Sequence, residues 1–129
     1  MSREEAEAAG SGPLAGLRVV EMAGIGPVPM AGLILAEMGA TVLRVARINA
    51  PDSFLPLADE LDFSLLGRHR IGVDLKSPEG VDFALRLMAG ADVVMEGFRP
   101  GVMERLGLGP DVALARNPGL VYGRMTGFG

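Results

Sequence analysis

Short β-branched runs alternate along this chain with segments whose apolar residues recur every three or four positions. Leu17-Arg18-Val19-Val20-Glu21-Met22 is short and largely apolar. It runs into Gly24-Ile25-Gly26-Pro27-Val28-Pro29, the pattern of a buried strand leading into a turn. Met30, Leu33, Ile34 and Met38 then fall at helical spacing, and Gly39 stands where a helix commonly stops. Residues 41–45 predict a second strand and residues 71–75 a third, weaker one, while the interval 48–66 follows neither period. Ser77-Pro78-Glu79 is a helix start: a hydroxyl cap, proline at the first helical position and an acid near the positive end of the dipole. Val81, Ala84, Leu85 and Met88 form the buried face of that helix, and Gly90 ends it. Residues 91–96 predict a fourth strand with an exit loop at 97–101. Two short helical pieces at 102–106 and 110–116 lead to a fifth strand at 120–124. Strands alternating with helices predict an α/β fold with a doubly wound, mostly parallel sheet and helices on both faces. Ligands in such sheets sit beyond the carboxyl ends of the strands, which directs attention to the loops after Met22, Val45, Leu75, Glu96 and Arg124.

A length of 129 residues sets a ceiling of one core. An apolar share of 49% with 22% charged residues excludes a disordered or collagen-like chain. The 19 glycines, about twice the usual share, imply many tight turns, and the absence of cysteine removes disulfides, thiolate metal sites and cysteine nucleophiles. A net charge of -4 argues against a nucleic-acid partner. The longest apolar run, residues 28–36, is far short of the ~20 residues of a spanning helix, so no membrane partner is expected. The acidic start, Met1-Ser2-Arg3-Glu4-Glu5-Ala6-Glu7, has the form of neither a secretory signal nor a transit peptide, which gives a cytoplasmic location as the expectation. Residues 1–12 read as a flexible acidic tail and residues 13–129 as the folded domain. The final Met125-Thr126-Gly127-Phe128-Gly129 reads as a loop just past a buried strand, so the expectation is the amino-terminal part of a longer protein.

Gly24-x-Gly26 partly matches a dinucleotide fingerprint, with Pro29 where the third glycine belongs. At the end of the second strand, where NAD proteins place an acid for the ribose, this chain has Arg44 and Arg47. That disfavours NAD and admits ligands with a phosphate on the ribose, NADP and coenzyme A among them. Arg44 with Arg47, Arg68-His69-Arg70 with Lys76, and Arg99 with Arg105 all read as lying near carboxyl ends of strands. There guanidinium groups suit phosphate oxygens. The competing reading is pairing with Asp52, Asp59, Glu60, Asp62, Glu96 and Glu104, and the residues alone do not choose between the two. His69, the single histidine, reads as solvated or phosphate-side rather than catalytic. Glu96 and Asp74 stand at strand ends where a carboxylate can act as a base, though Asp74 equally suits a turn cap. No paired carboxylates, Ser-His-Asp set or metal-ligand cluster stands out, and the eight methionines read mostly as packing.

From residue 13 to residue 129 the chain resembles the class III CoA-transferase family. The matching stretches are Gly16-Leu17-Arg18-Val19-Val20-Glu21, Gly26-Pro27 with Pro29, Met38-Gly39-Ala40-Thr41-Val42, Asp74-Leu75-Lys76, and Glu96-Gly97-Phe98-Arg99-Pro100-Gly101-Val102. Arg105-Leu106-Gly107-Leu108-Gly109-Pro110, Asn117-Pro118 and the run Leu120-Val121-Tyr122-Gly123-Arg124-Met125-Thr126-Gly127-Phe128-Gly129 complete it. The ending and the Ile25-Gly26-Pro27 loop resemble the racemase branch. The resemblance implies a Rossmann-like domain that binds an acyl-CoA thioester, completed by a second domain and interlocked with another subunit in a homodimer. It implies 1,1-proton transfer at the α-carbon of a 2-methylacyl-CoA, with no cofactor beyond coenzyme A as part of the substrate. By position it implies that Arg47 meets the CoA nucleotide and that Val73, Asp74, Leu75 and Lys76 run along the adenine and phosphates. It places Gly97, Phe98 and Arg99 in the next loop and Arg105 on the phosphate side. Ile48 replaces a common proline, residues 48–62 run a few residues long, and His69 stands where Lys or Arg is usual. The family's catalytic histidine and aspartate would fall after Gly129, so the resemblance implies no catalytic residue in this chain and no activity of the chain alone. The alternatives are a CoA-transferase of the same family, with an aspartate nucleophile also after Gly129, an NADP-binding oxidoreductase domain, and a non-catalytic interaction module.

Overall fold

The computed structural model describes residues 11–48 and 67–127. Its elements run β1 (Arg18–Met22), α1 (Pro27–Glu37), β2 (Thr41–Arg47), β3 (His69–Val73), α2 (Pro78–Ala89), β4 (Val93–Glu96), α3 (Val102–Arg105), α4 (Pro110–Arg116) and β5 (Val121–Arg124). The five strands form one parallel sheet in the order β3-β2-β1-β4-β5. This is the doubly wound α/β architecture the alternation predicts, with the switch in strand order between β1 and β4.

The two-residue period of β1 sorts its side chains. Val20 and Met22 join Val45, Val94 and the buried face of α2, Ala84, Leu85 and Met88, in one core layer. Val19 joins Val42, Met95 and Val28 of α1 in the other. Helices therefore cover both faces, and each fully buried aliphatic side chain contributes roughly 1.5–3 kcal/mol. The α2 start is built as its sequence predicts: the Gly80 amide donates to Ser77 Oγ at 3.0 Å, with Pro78 in the first turn. No helix among the described residues is long and apolar enough to cross a membrane.

The layer under α1 also carries charge. Glu21 and Arg44 are register partners on β1 and β2, and Arg44 Nη1 donates to Glu21 Oε2 at 2.6 Å. Arg68 Nη1 lies 3.2 Å from Glu21 Oε1 and donates to the Pro29 carbonyl at 2.6 Å. Gly32 makes room for this group, because a Cβ there would fall on the Glu21 carboxylate. Side chains as small as glycine's let α1 sit directly on the ion pair.

Several expectations are corrected. β3 begins at His69 rather than residue 71, and β2 runs on to Arg47 because Ala46 and Arg47 still find partners in Gly72 and Val73. Arg68, His69 and Arg70 therefore stand at the amino end of β3, not near a carboxyl end. Arg44 is buried beside Glu21 rather than offered to a ligand. Met22, Met88, Met95 and Met103 are core, but Met30 and Met38 are exposed together with Ile34, since α1 buries Val28, Pro29 and Gly32 instead. Of the expected tail at 1–12, residues 1–10 lie outside the described residues. So do 49–66, with Asp52, Asp59, Glu60 and Asp62.

Candidate functional site

The carboxyl ends of β2 and β3 lie side by side, with Arg47 opposite Val73 in the register. Past Val73 the chain turns on Asp74: the Lys76 amide donates to Asp74 Oδ1 at 3.1 Å, and the Ser77 hydroxyl donates to the Asp74 carbonyl at 3.1 Å. The Asp74 carboxylate thus takes the turn-capping role, and it directs the Leu75-Lys76 backbone into α2. A cavity of about 520 Å³ opens here, lined by Arg47, Val73, Asp74, Leu75 and Lys76 from the strand ends and by Val102 and Leu106 beyond β4. A shallower depression of about 630 Å³ continues from Lys76 to Arg105 and Arg116. A third, of about 300 Å³, lies at the switch point, where Ile25 and Pro27 after β1 face Gly97, Phe98 and Arg99 after β4 and Met125 after β5.

Phe98 joins the first cavity to the third. The Arg47 guanidinium carbon stands 4.5 Å from the centroid of the Phe98 ring, a cation–π distance. All nine residues anticipated as binding residues, Arg47, Val73, Asp74, Leu75, Lys76, Gly97, Phe98, Arg99 and Arg105, therefore line one edge of the sheet. His69 does not; it lines a separate hollow with Gly39, Thr41 and Gly67 at the amino ends of β2 and β3. Val102, Leu106 and Arg116 belong to the edge although the residue pattern did not single them out as ligand contacts. Their signal is weak, since they sit on short helices whose docking depends on the sheet.

Glu96 is not a free base. It is 3% exposed: its Oε2 accepts the Phe98 amide at 2.9 Å and its Oε1 accepts Arg124 Nε at 2.8 Å. Arg124 Nη1 also pairs with Glu104. Hydrogen bonds to Glu104 and Glu96 hold the Arg124 guanidinium above its ordinary range, and the same bond holds the Glu104 carboxyl below the usual carboxylate range. The Tyr122 hydroxyl donates to the Leu108 carbonyl at 2.7 Å, and burial, followed by the Glu96 charge, pushes it up.

The helix end that holds pyrophosphate in dinucleotide-binding folds is poorly equipped here. Pro27 and Pro29 remove two of the first backbone donors of α1, and Gly26 caps it without a side-chain bond. Arg44 is buried as well, so of the two arginines near the end of β2 only Arg47 is open to a ribose phosphate. Among the described residues no three His, Asp or Glu side chains gather as metal ligands. The arrangement is suited to an extended anion laid along the strand ends, with cations on its outer part and apolar surface at the switch point.

Comparison with known proteins finds matches along nearly the whole chain. The sequence model of CoA-transferase family III matches residues 14–129. The chain is 44% identical over 116 residues to the alpha-methylacyl-CoA racemase of Mus musculus, which covers 90% of this chain and 28% of that protein. It is 40% identical over 126 residues to the Probable fatty acyl-CoA transferase of Mycobacterium tuberculosis, covering 91% of this chain and 32% of that one. A crystal structure of that mycobacterial protein superposes with a TM-score of 0.84 at 39% identity, over 92% of this chain and 35% of that one. The chain spans about a third or less of the length of these relatives.

Proposed function

Because the chain belongs to CoA-transferase family III, we propose that its strand-end edge binds an acyl-CoA thioester as the CoA-binding part of an α-methylacyl-CoA racemase. The nucleotide and its phosphates lie along Arg47, Asp74–Lys76 and Arg105, and the pantetheine arm runs past Phe98 and Arg99 toward the switch point. The observation that carries this reading is the Arg47–Phe98 contact, with Arg47 lining the same cavity as the Asp74–Lys76 turn, which puts cations and apolar surface along one edge.

In the reaction a base removes the α-proton beside the thioester, an enolate forms with its oxygen held by hydrogen-bond donors, and a proton returns to the opposite face. The remote nucleotide supplies binding energy that fixes the reacting carbon in place. The described residues fit that anchoring task and not the proton transfer: His69 sits at the other end of the sheet and Glu96 is committed to Phe98 and Arg124. On this reading, as the family resemblance implies, the histidine and aspartate that move the proton lie after Gly129, and the working enzyme is an interlocked homodimer in the cytosol.

Two measurements on the 129-residue chain test this. Replacing Arg47 and Arg105 together by alanine should weaken CoA binding by on the order of 3 kcal/mol, about a hundredfold, while NADP fails to displace CoA. Unchanged affinity would return the arginines to a surface-pairing role in a non-catalytic module. Deuterium wash-in at the α-carbon of a 2-methylacyl-CoA should be absent with the chain alone, and its presence would refute the catalytic silence of these 129 residues. The second reading, a CoA-transferase, draws on the 40% identity to the mycobacterial protein. Acceptor-dependent CoA exchange by the full-length protein would favour it.

A further inference from the structure

Glu96 ends β4 with each carboxylate oxygen given to a different neighbour. Oε1 meets Arg124 of β5, its register partner, and Oε2 accepts the amide of Phe98 two residues on. The second bond turns the chain back sharply after the strand. The Phe98 ring lies against the β1–α1 loop, within 3.8 Å of where a Gly24 Cβ would stand, and under the Arg47 guanidinium. Gly97 lets this turn pass close to α1, where a Cβ would come within 2.9 Å of Val28 Cγ2. Arg47 is exposed at the end of β2, and among the described residues no hydrogen bond or ion pair holds it besides the contact with the ring. A long side chain left free in solvent loses rotamer freedom when a ligand captures it, and one already stacked on a ring loses less.

We propose that Glu96 is a positioning residue: through the Phe98 amide it sets the ring on which Arg47 is laid, so that an incoming polyanion meets an arginine already in place. The identity of that polyanion rests on the acyl-CoA reading above; the placement of Arg47 does not. A carboxylate that only tied β4 to β5 would have no effect reaching β2, and this difference makes the proposal testable.

The test uses the 129-residue chain. Arg47 side-chain protons over an aromatic ring carry an upfield ring-current shift, read by NMR without ligand. Glu96→Gln and Glu96→Asp should both diminish that shift, as Phe98→Leu should abolish it. Glu96→Asp keeps the charge facing Arg124 but shortens the reach to the Phe98 amide, and it serves if Glu96→Gln does not fold. Titration with CoA should show each Glu96 variant binding five- to tenfold more weakly, with no further loss when Arg47 is already alanine. A ring-current shift that survives both Glu96 variants overturns the proposal, as does an undiminished Glu96 effect in the Arg47→Ala background. An Arg47→Ala change that leaves CoA affinity untouched sinks the acyl-CoA reading alone, because the ligand-free shift still decides the role of Glu96.

Discussion

Glu21, Arg44 and Arg68 lie under α1 with side chains at most 2% exposed. In the cluster of Glu96, Arg124 and Glu104 at the carboxyl edge, the guanidinium is 35% and the outer carboxylate 45% exposed. Both clusters join charges from neighbouring strands, yet they do different work. In the inner one water is excluded, so each charge depends on the others and the group holds α1 against the sheet. In the outer one water reaches Arg124 and Glu104, so the ion pairs themselves are weak, and what matters is the one buried carboxylate that shapes the Phe98 turn. The same residue types act as a structural anchor or as part of the proposed binding edge according to where the sheet places them.

The largest effect should come from Glu21→Ala, which leaves two buried guanidinium groups without their shared carboxylate. A loss of about 3–5 kcal/mol is expected by urea unfolding, a large part of a domain's stability. Replacing Glu21, Arg44 and Arg68 together by apolar residues of similar volume should recover most of it. A loss below ~1 kcal/mol for the single change would erase the contrast between the clusters. Arg124→Met should cost less, about 1–2 kcal/mol by the same measurement, because Glu96 keeps the Phe98 amide and water replaces the rest.

The smallest effect is a pH dependence. The Glu104 carboxyl is held below its ordinary value of 4.5 by the Arg124 hydrogen bond, so its contribution is fully present above that value. It fades as pH falls from that value through the lower folded one, because protonation removes a bond the unfolded chain never had. The acid limb of the unfolding curve should therefore differ between the native chain and Glu104→Gln, with the two converging below it. A difference between them that persists at the lowest pH would show that Glu104 contributes through packing rather than charge.

Much of the fold was legible because it is periodic or local. The alternation at Val19 and Val20, the Ser77-Pro78-Glu79 start and the short β-branched runs each depend on residues close in sequence, and each appears in the structure. Arg44 was misjudged although a signal existed. It stands two residues from the buried Val42 and Ala46, on the strand face that α1 covers, whereas Arg47 is an odd number of residues away and at the strand's end. The Met30, Ile34 and Met38 spacing marked a helix correctly and gave no hint that this stripe faces outward.

Composition, period and capping, read from the residues, were enough for a five-stranded, mostly parallel α/β domain and for directing attention to the strand-end loops. The meeting of Glu21 with Arg68, of Arg47 with Phe98 and of Glu96 with Arg124 was not readable in that way. Those pairs are separated by 28 to 51 positions and come together only because the strand order 3-2-1-4-5 sets β4 beside β1 and puts β2 on its other side. A strand's own residues specify which side chains face which layer. Which neighbour it takes depends on how all the faces are buried at once, and no stretch of sequence carries that information alone.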